Sequence, residues 1–108
     1  MKQQVINMAT INCHAQTKMT LVKQLQIDQL LAQYDLDILL CQETAIIDGT
    51  FRECQNVMNN YKIIYNNAGN NYGTSILIKN SIEVSEISMD TQGRIIRIDT
   101  GNSTILDV

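Results

Sequence analysis

The tightest constraint on this chain is the order in which its apolar periodicity changes between residues 4 and 44. Residues 4–12 read as a largely buried strand, with Val5-Ile6-Asn7-Met8-Ala9-Thr10-Ile11 closing on Asn12. From Thr17 to Tyr34 the period lengthens. Met19, Val22, Leu25, Leu30, Leu31 and Tyr34 recur mostly every three or four residues, with Lys18, Lys23, Gln24, Asp28 and Gln29 between them. That spacing predicts an amphipathic helix of about five turns, with Thr17 as its N-cap and Asp35 at its exit. A second, shorter apolar run, Ile38-Leu39-Leu40-Cys41, follows at once and ends in Gln42-Glu43-Thr44. A strand, a helix and a strand joined by short connections need a crossover, so the two strands are expected to lie parallel. As neighbours they would bring Asn12 and Glu43 to one rim of the sheet, where open α/β folds place their ligands.

Beyond that unit, Asp48-Gly49-Thr50 reads as turn and cap for a short helix over 51–58, ended by Asn59-Asn60. The period then falls to two. Segments 61–66, 73–79, 82–89, 94–99 and 104–108 are strand-length, separated by Asn67-Ala68-Gly69-Asn70-Asn71, Asn80-Ser81, Gln92-Gly93 and Gly101-Asn102. Connections this short make hairpins. The predicted fold class is therefore α/β of the mixed α+β kind: a partial α/β sandwich with one mixed sheet. It has a β-α-β-α start and an antiparallel meander, and its second sheet is missing. A sheet with helices on one face needs cover on the other. Each large apolar side chain left in water costs about 1.5–3 kcal/mol, so a bare face would drive self-association.

Composition narrows the partners. The formal charge of −3 shows no basic excess with which to displace counterions from nucleic-acid phosphates. Such binding would require a local patch or a metal ion. Cys13, Cys41 and Cys54 have no ligand-like spacing, and with a single histidine they do not make a zinc site. An odd cysteine count without a signal-like leader points to an intracellular setting, nucleus or cytoplasm. No apolar run is long enough to cross a bilayer.

Among residues able to do chemistry, Glu43 ranks first. A carboxylate just past a buried strand suits a hard cation, and Mg²⁺ is commonly held by one or two carboxylates with water and phosphate oxygens. Read as structure alone, it is a solvated residue opening a loop. Asn12 is either a turn former or a second contributor to the same spot. His14 reads as a surface histidine. Asp99 and Asp107 read as solvated positions of hairpin strands, and Tyr72 as a packing residue able to stack on a base. Arg94 and Arg97, three apart on a strand, face opposite sides and form no clamp. There is no nucleophile constellation and no glycine-rich phosphate loop.

These residues resemble a known pattern. Ala9-Thr10-Ile11-Asn12, the helix, and Asp37-Ile38-Leu39-Leu40-Cys41-Gln42-Glu43-Thr44 are similar to the opening of the endonuclease/exonuclease/phosphatase superfamily. There a first strand ends in Asn and a second in Gln-Glu-Thr. Tyr72-Gly73-Thr74-Ser75-Ile76-Leu77-Ile78 resembles the family's Gly-x-x-Ile-Leu strand. Gly93-Arg94-Ile95-Ile96-Arg97-Ile98 resembles its next strand, and 103–108 the one leading to a Tyr-Ala-Pro segment. The flavour is that of endonuclease domains of non-LTR retrotransposons. The resemblance implies that residues 1–108 are the N-terminal half of such a domain, part of a Mg²⁺-dependent (or Mn²⁺-dependent) phosphodiester hydrolase acting on DNA. It implies Glu43 as metal ligand and catalytic residue, Asn12 as a catalytic residue organising phosphate and metal, and Tyr72 in a DNA-facing loop. His14 stands where relatives are often acidic or glycine and receives no role. The family's later Tyr, Asp-x-Asn pair and Asp-His are not present in these residues, so the fragment is expected to be inactive alone. A phosphatase of the same superfamily and a non-catalytic α/β interaction module are the alternatives.

Overall fold

In the computed structural model, residues 6–15, 19–67 and 73–108 are described. Strand β1 (Met8–Asn12) leads through helix α1 (Leu21–Gln33) to β2 (Ile38–Gln42), and the two strands pair in parallel with Met8 opposite Ile38 and Asn12 opposite Gln42. Helix α2 (Asp48–Val57) precedes the hairpin of β3 (Tyr61–Asn66) and β4 (Thr74–Lys79). β4 inserts antiparallel between β3 and β2, giving the order β1-β2-β4-β3.

The meander does not continue that sheet. β5 (Val84–Met89), β6 (Ile96–Thr100) and β7 (Thr104–Asp107) form a separate antiparallel sheet of three strands. The expectation of one sheet with its second sheet missing is corrected here. Side chains on alternate positions of both sheets meet: Ile38, Ile76 and Ile78 from the first pack on Ile96, Ile98 and Ile105 from the second. The corner that redirects the chain is tied down by backbone acceptors. Asn80 donates through its N–H to Asn60 O (3.1 Å) and Lys62 Nζ donates to Ile82 O (2.8 Å). A period of two tells which residues share a face, but not whether the next strand pairs at the edge or stacks on that face. The face expected to be bare is thus covered, which removes the reason given for self-association.

The other face carries the helices. Leu39, Cys41, Ile63 and Leu77 pack with Met19, Ile27 and Leu31 beneath α1, and with Cys54 and Met58 at α2. Helix α1 starts at Thr20, whose Oγ1 accepts the Lys23 N–H (3.3 Å); Thr17 lies outside the described residues. The helix turns a different face inward from the one its spacing suggested. Gln24, Ile27 and Leu31 are buried, whereas Val22, Leu25 and Tyr34 are more than half exposed. Two apolar stripes compete on this helix. In the stripe that wins, the buried Gln24 donates through its amide to Glu53 Oε1 (3.1 Å), while its Oε1 has no partner among the described residues. The helix ends as expected at Asp35, in the left-handed region at φ 49°. The Asp35 and Leu36 N–H groups donate back to Ala32 O and Leu31 O, a Schellman arrangement.

Candidate functional site

The parallel ladder of β1 and β2 extends past both strands. Cys13 N–H donates to Gln42 O (2.9 Å) and Ala15 N–H donates to Glu43 O (2.9 Å), holding residues 13–15 alongside 42–43. Strict alternation would send the side chains of residues 42 and 43 to opposite faces. Glu43 ends the strand instead, at φ 50°, and His14 and Ala45 have the same left-handed φ. Such a conformation costs a non-glycine residue about 1–2 kcal/mol, and three fall at one rim. The resulting turn places Glu43 Oε2 3.5 Å from His14 Nδ1. Asn12 Oδ1 accepts the His14 N–H (2.9 Å), so Asn12, His14 and Glu43 form one group at the C-terminal ends of β1 and β2.

Behind this group lies a polar row that the sequence reading missed. The register aligns Asn12, Gln42, Thr74 and Asn66 across all four strands of the first sheet. Two of these amides grip aspartates on the facing side of the sandwich. Gln42 Nε2 donates to Asp107 Oδ1 (2.9 Å) and to Thr10 Oγ1 (3.0 Å); Asn66 Nδ2 donates to Asp90 Oδ1 (2.8 Å). Apolar isoleucines thus fill the sandwich toward one rim and amide–carboxylate pairs fill it at the rim that carries Glu43.

Asp107 is not solvated as expected but buried, and among the described residues neither its Oδ2 nor Thr74 Oγ1 in the same row has a well-formed hydrogen bond. Burial pushes the Asp107 carboxyl up to about 6, against the opposing pull of the Gln42 amide and the Cys41 backbone N–H. Its inward position was legible, because Ile105, two residues earlier on the same strand, had to face the core. Asp90 differs. Desolvation opposes its ionisation, but the Ile95 and Arg94 N–H groups and the Asn66 amide together hold its carboxyl below the ordinary value. Asp99 is half-buried and accepts from Thr104 Oγ1 (2.7 Å). Tyr72 lies outside the described residues. Gly73 beside it sits at φ 93°, with no room for a Cβ, which would lie 2.7 Å from Asn66 O.

A divalent ion at this rim would have to take most of its ligands from solvent. Glu43 is 37% exposed at its side chain and has no hydrogen-bond donor among the described residues, and the adjoining donors are an imidazole and an amide. Among the described residues no cluster of three or more His, Cys, Asp or Glu side chains forms a closed metal cage. Cys13, Cys41 and Cys54 are free.

Solved structures with the same architecture identify the fold. An AP endonuclease from Archaeoglobus fulgidus superposes with a TM-score of 0.73 at 18% identity, over 94% of this chain and 40% of its own. TDP2 from C. elegans matches at 0.64 and 20% identity, over 94% of this chain and 33% of its own. An endonuclease/exonuclease/phosphatase family protein from Bacteroides thetaiotaomicron matches at 0.57 and 12% identity, over 94% and 48%. Over the part it covers, this chain shares the fold of these proteins. It spans less than half the length of each of these proteins. No protein-family model matches the chain, and neither does any curated protein sequence. Among the described residues no helix is long and apolar enough to cross a membrane.

Proposed function

We propose that this endonuclease/exonuclease/phosphatase-fold chain is the N-terminal half of a divalent-metal-dependent phosphodiester hydrolase, a DNA endonuclease of the non-LTR retrotransposon type. The observation that carries the reading is the convergence of Asn12 and Glu43 at one rim of two parallel strands, in a fold shared with an AP endonuclease. Glu43 would hold Mg²⁺ or Mn²⁺. Asn12 has its Oδ1 turned to the His14 N–H, which leaves its Nδ2 hydrogens to donate to a phosphate oxygen. Bound there, a divalent ion supplies neutralising charge to the phosphate oxygens. It also offsets the chain's own net charge of −3, which would otherwise repel DNA.

These residues supply a ligand and a phosphate donor but no general base, and a positioned base contributes roughly 10²–10⁴-fold. Turnover by residues 1–108 alone is expected to be negligible. By resemblance, the water-activating groups belong to a Tyr, an Asp-x-Asn pair and an Asp-His further along. The test is to express the full reading frame that contains this chain and to assay nicking of supercoiled plasmid. Metal-dependent nicking abolished by Glu43→Ala supports the reading. Nicking by residues 1–108 alone would contradict the predicted inactivity. The fold also matches a mannosyl-6-phosphatase from Bacteroides thetaiotaomicron (TM-score 0.53, 15% identity, 78% of this chain and 35% of its own). A phosphorylated sugar therefore belongs in the same assay, and its hydrolysis without nicking would replace the nuclease reading with a phosphatase one. A DNA substrate would place the protein in nucleus or cytoplasm.

A further inference from the structure

We propose that His14 is a ligand of the same ion as Glu43, so that the site binds Mn²⁺ in preference to Mg²⁺. The inference rests on the proposed metal role of Glu43 and adds a nitrogen donor to it. Nothing in the spacing of the sequence required the two side chains to meet. They meet because the backbone ladder runs on through Cys13 and Ala15 and because both residues take the left-handed turn at φ 50°.

The distance is informative. At 3.5 Å, Nδ1 and Oε2 are too far apart for a good hydrogen bond. Two donors on one octahedral ion, with metal–ligand bonds of about 2.0–2.2 Å, lie about 2.8–3.1 Å apart, so these two exposed side chains need close by only about half an ångström to share one. Both side chains are open to solvent, His14 at 77%, so water and phosphate oxygens have room to complete the shell. Asn12 does not compete for the position, since its Oδ1 accepts the His14 N–H and thereby fixes the turn that presents the imidazole.

Ligand type then sets the choice of ion. Mg²⁺ demands oxygen donors and near-ideal octahedral geometry, and it dehydrates reluctantly. Imidazole nitrogen favours first-row transition ions over Mg²⁺, and of those Mn²⁺ is the one that also suits the carboxylate and water oxygens completing this shell. His14 would thus make the rim selective where an all-oxygen set would not.

The experiment is a Mn²⁺ titration of the intact 108-residue chain, read by the electron paramagnetic resonance signal of free Mn²⁺, with pulsed measurement of ¹⁴N coupling to the bound ion. Four proteins are compared: wild type, His14→Ala, His14→Asp and Glu43→Gln. The proposal expects ¹⁴N coupling in the wild type, lost in both His14 variants. It also expects at least about tenfold weaker Mn²⁺ binding in His14→Ala and recovery of Mg²⁺ competition in His14→Asp. His14 is exposed, so neither substitution removes packing, and circular dichroism checks the fold. Mn²⁺ binding that needs Glu43 but shows no ¹⁴N coupling, and is equal in wild type and His14→Ala, overturns the His14 inference and leaves the metal role of Glu43 standing. Absence of Mn²⁺ binding in all four proteins overturns both.

Discussion

Replacing Asp107 with asparagine should change how the stability of this protein depends on pH, and the size of the change follows from where the carboxyl sits. Its ordinary value of 3.8 is pushed up to about 6 by burial between the two sheets. A displacement of about two units, net of the Gln42 amide's opposing pull, corresponds to about 3 kcal/mol of preference for the neutral form. The native state holds this proton more tightly than the unfolded chain does. The cost of burying the charge is therefore absent below about pH 4, grows as the pH rises to about 6, and is fully present above that. An asparagine in its place cannot ionise. It can still accept from Gln42 Nε2 through its side-chain oxygen, while its amide hydrogens find no acceptor among the described residues, a cost of about 1–3 kcal/mol at every pH. The informative quantity is the stability of wild type minus that of Asp107→Asn, in which the other carboxylates cancel. Urea denaturation at several pH values should show that difference becoming less favourable to wild type by about 2–3 kcal/mol between about pH 4 and pH 7. A difference that stays flat, or one that moves the other way, would mean the carboxylate is solvated or well paired, and would refute the buried polar row as described.

Two further outcomes test neighbouring parts of the account. Glu43→Gly should raise stability by about 0.5–1 kcal/mol by relieving a left-handed glutamate, net of glycine's added chain entropy, while abolishing metal binding; thermal or urea denaturation with a Mn²⁺ titration checks both, and a loss of stability would show that the turn is unstrained. Ile98→Ala should cost about 2–5 kcal/mol, because Ile98 is fully buried where the two sheets meet, and a loss under about 1 kcal/mol in urea denaturation would argue against a packed sandwich.

How far the sequence could be read depended on what its patterns encode. The parallel pairing of β1 with β2 was legible because a strand, a helix and a strand on short connections have one economical solution. The hairpin strand at 61–66 appears with the expected bounds. The second sheet was not legible. Ile96, Ile98 and Ile105 announce an apolar face, but a face pattern is the same whether its strand extends a sheet or stacks on one. On α1, Val22 and Leu25 were as apolar as Ile27 and Leu31, and the burial of Gln24 depended on Glu53, a partner on another helix. At the rim, Asn12 and Glu43 could be paired from topology alone. His14 could not, because its approach to Glu43 depends on three non-glycine residues at positive φ, for which Glu43 and Ala45 give no signal and His14 only a weak one.

The account stands on a divalent ion binding where β1 and β2 end. Sub-stoichiometric Mn²⁺ added to the ¹⁵N-labelled chain measures this directly, through paramagnetic broadening of backbone amide resonances. Broadening should begin at residues 12–15 and 43–45 together and spare the opposite rim, where Asn7, Asp37 and Lys79 meet. Broadening centred on that opposite rim or on Asp90, or spread evenly over the surface acids, would contradict it.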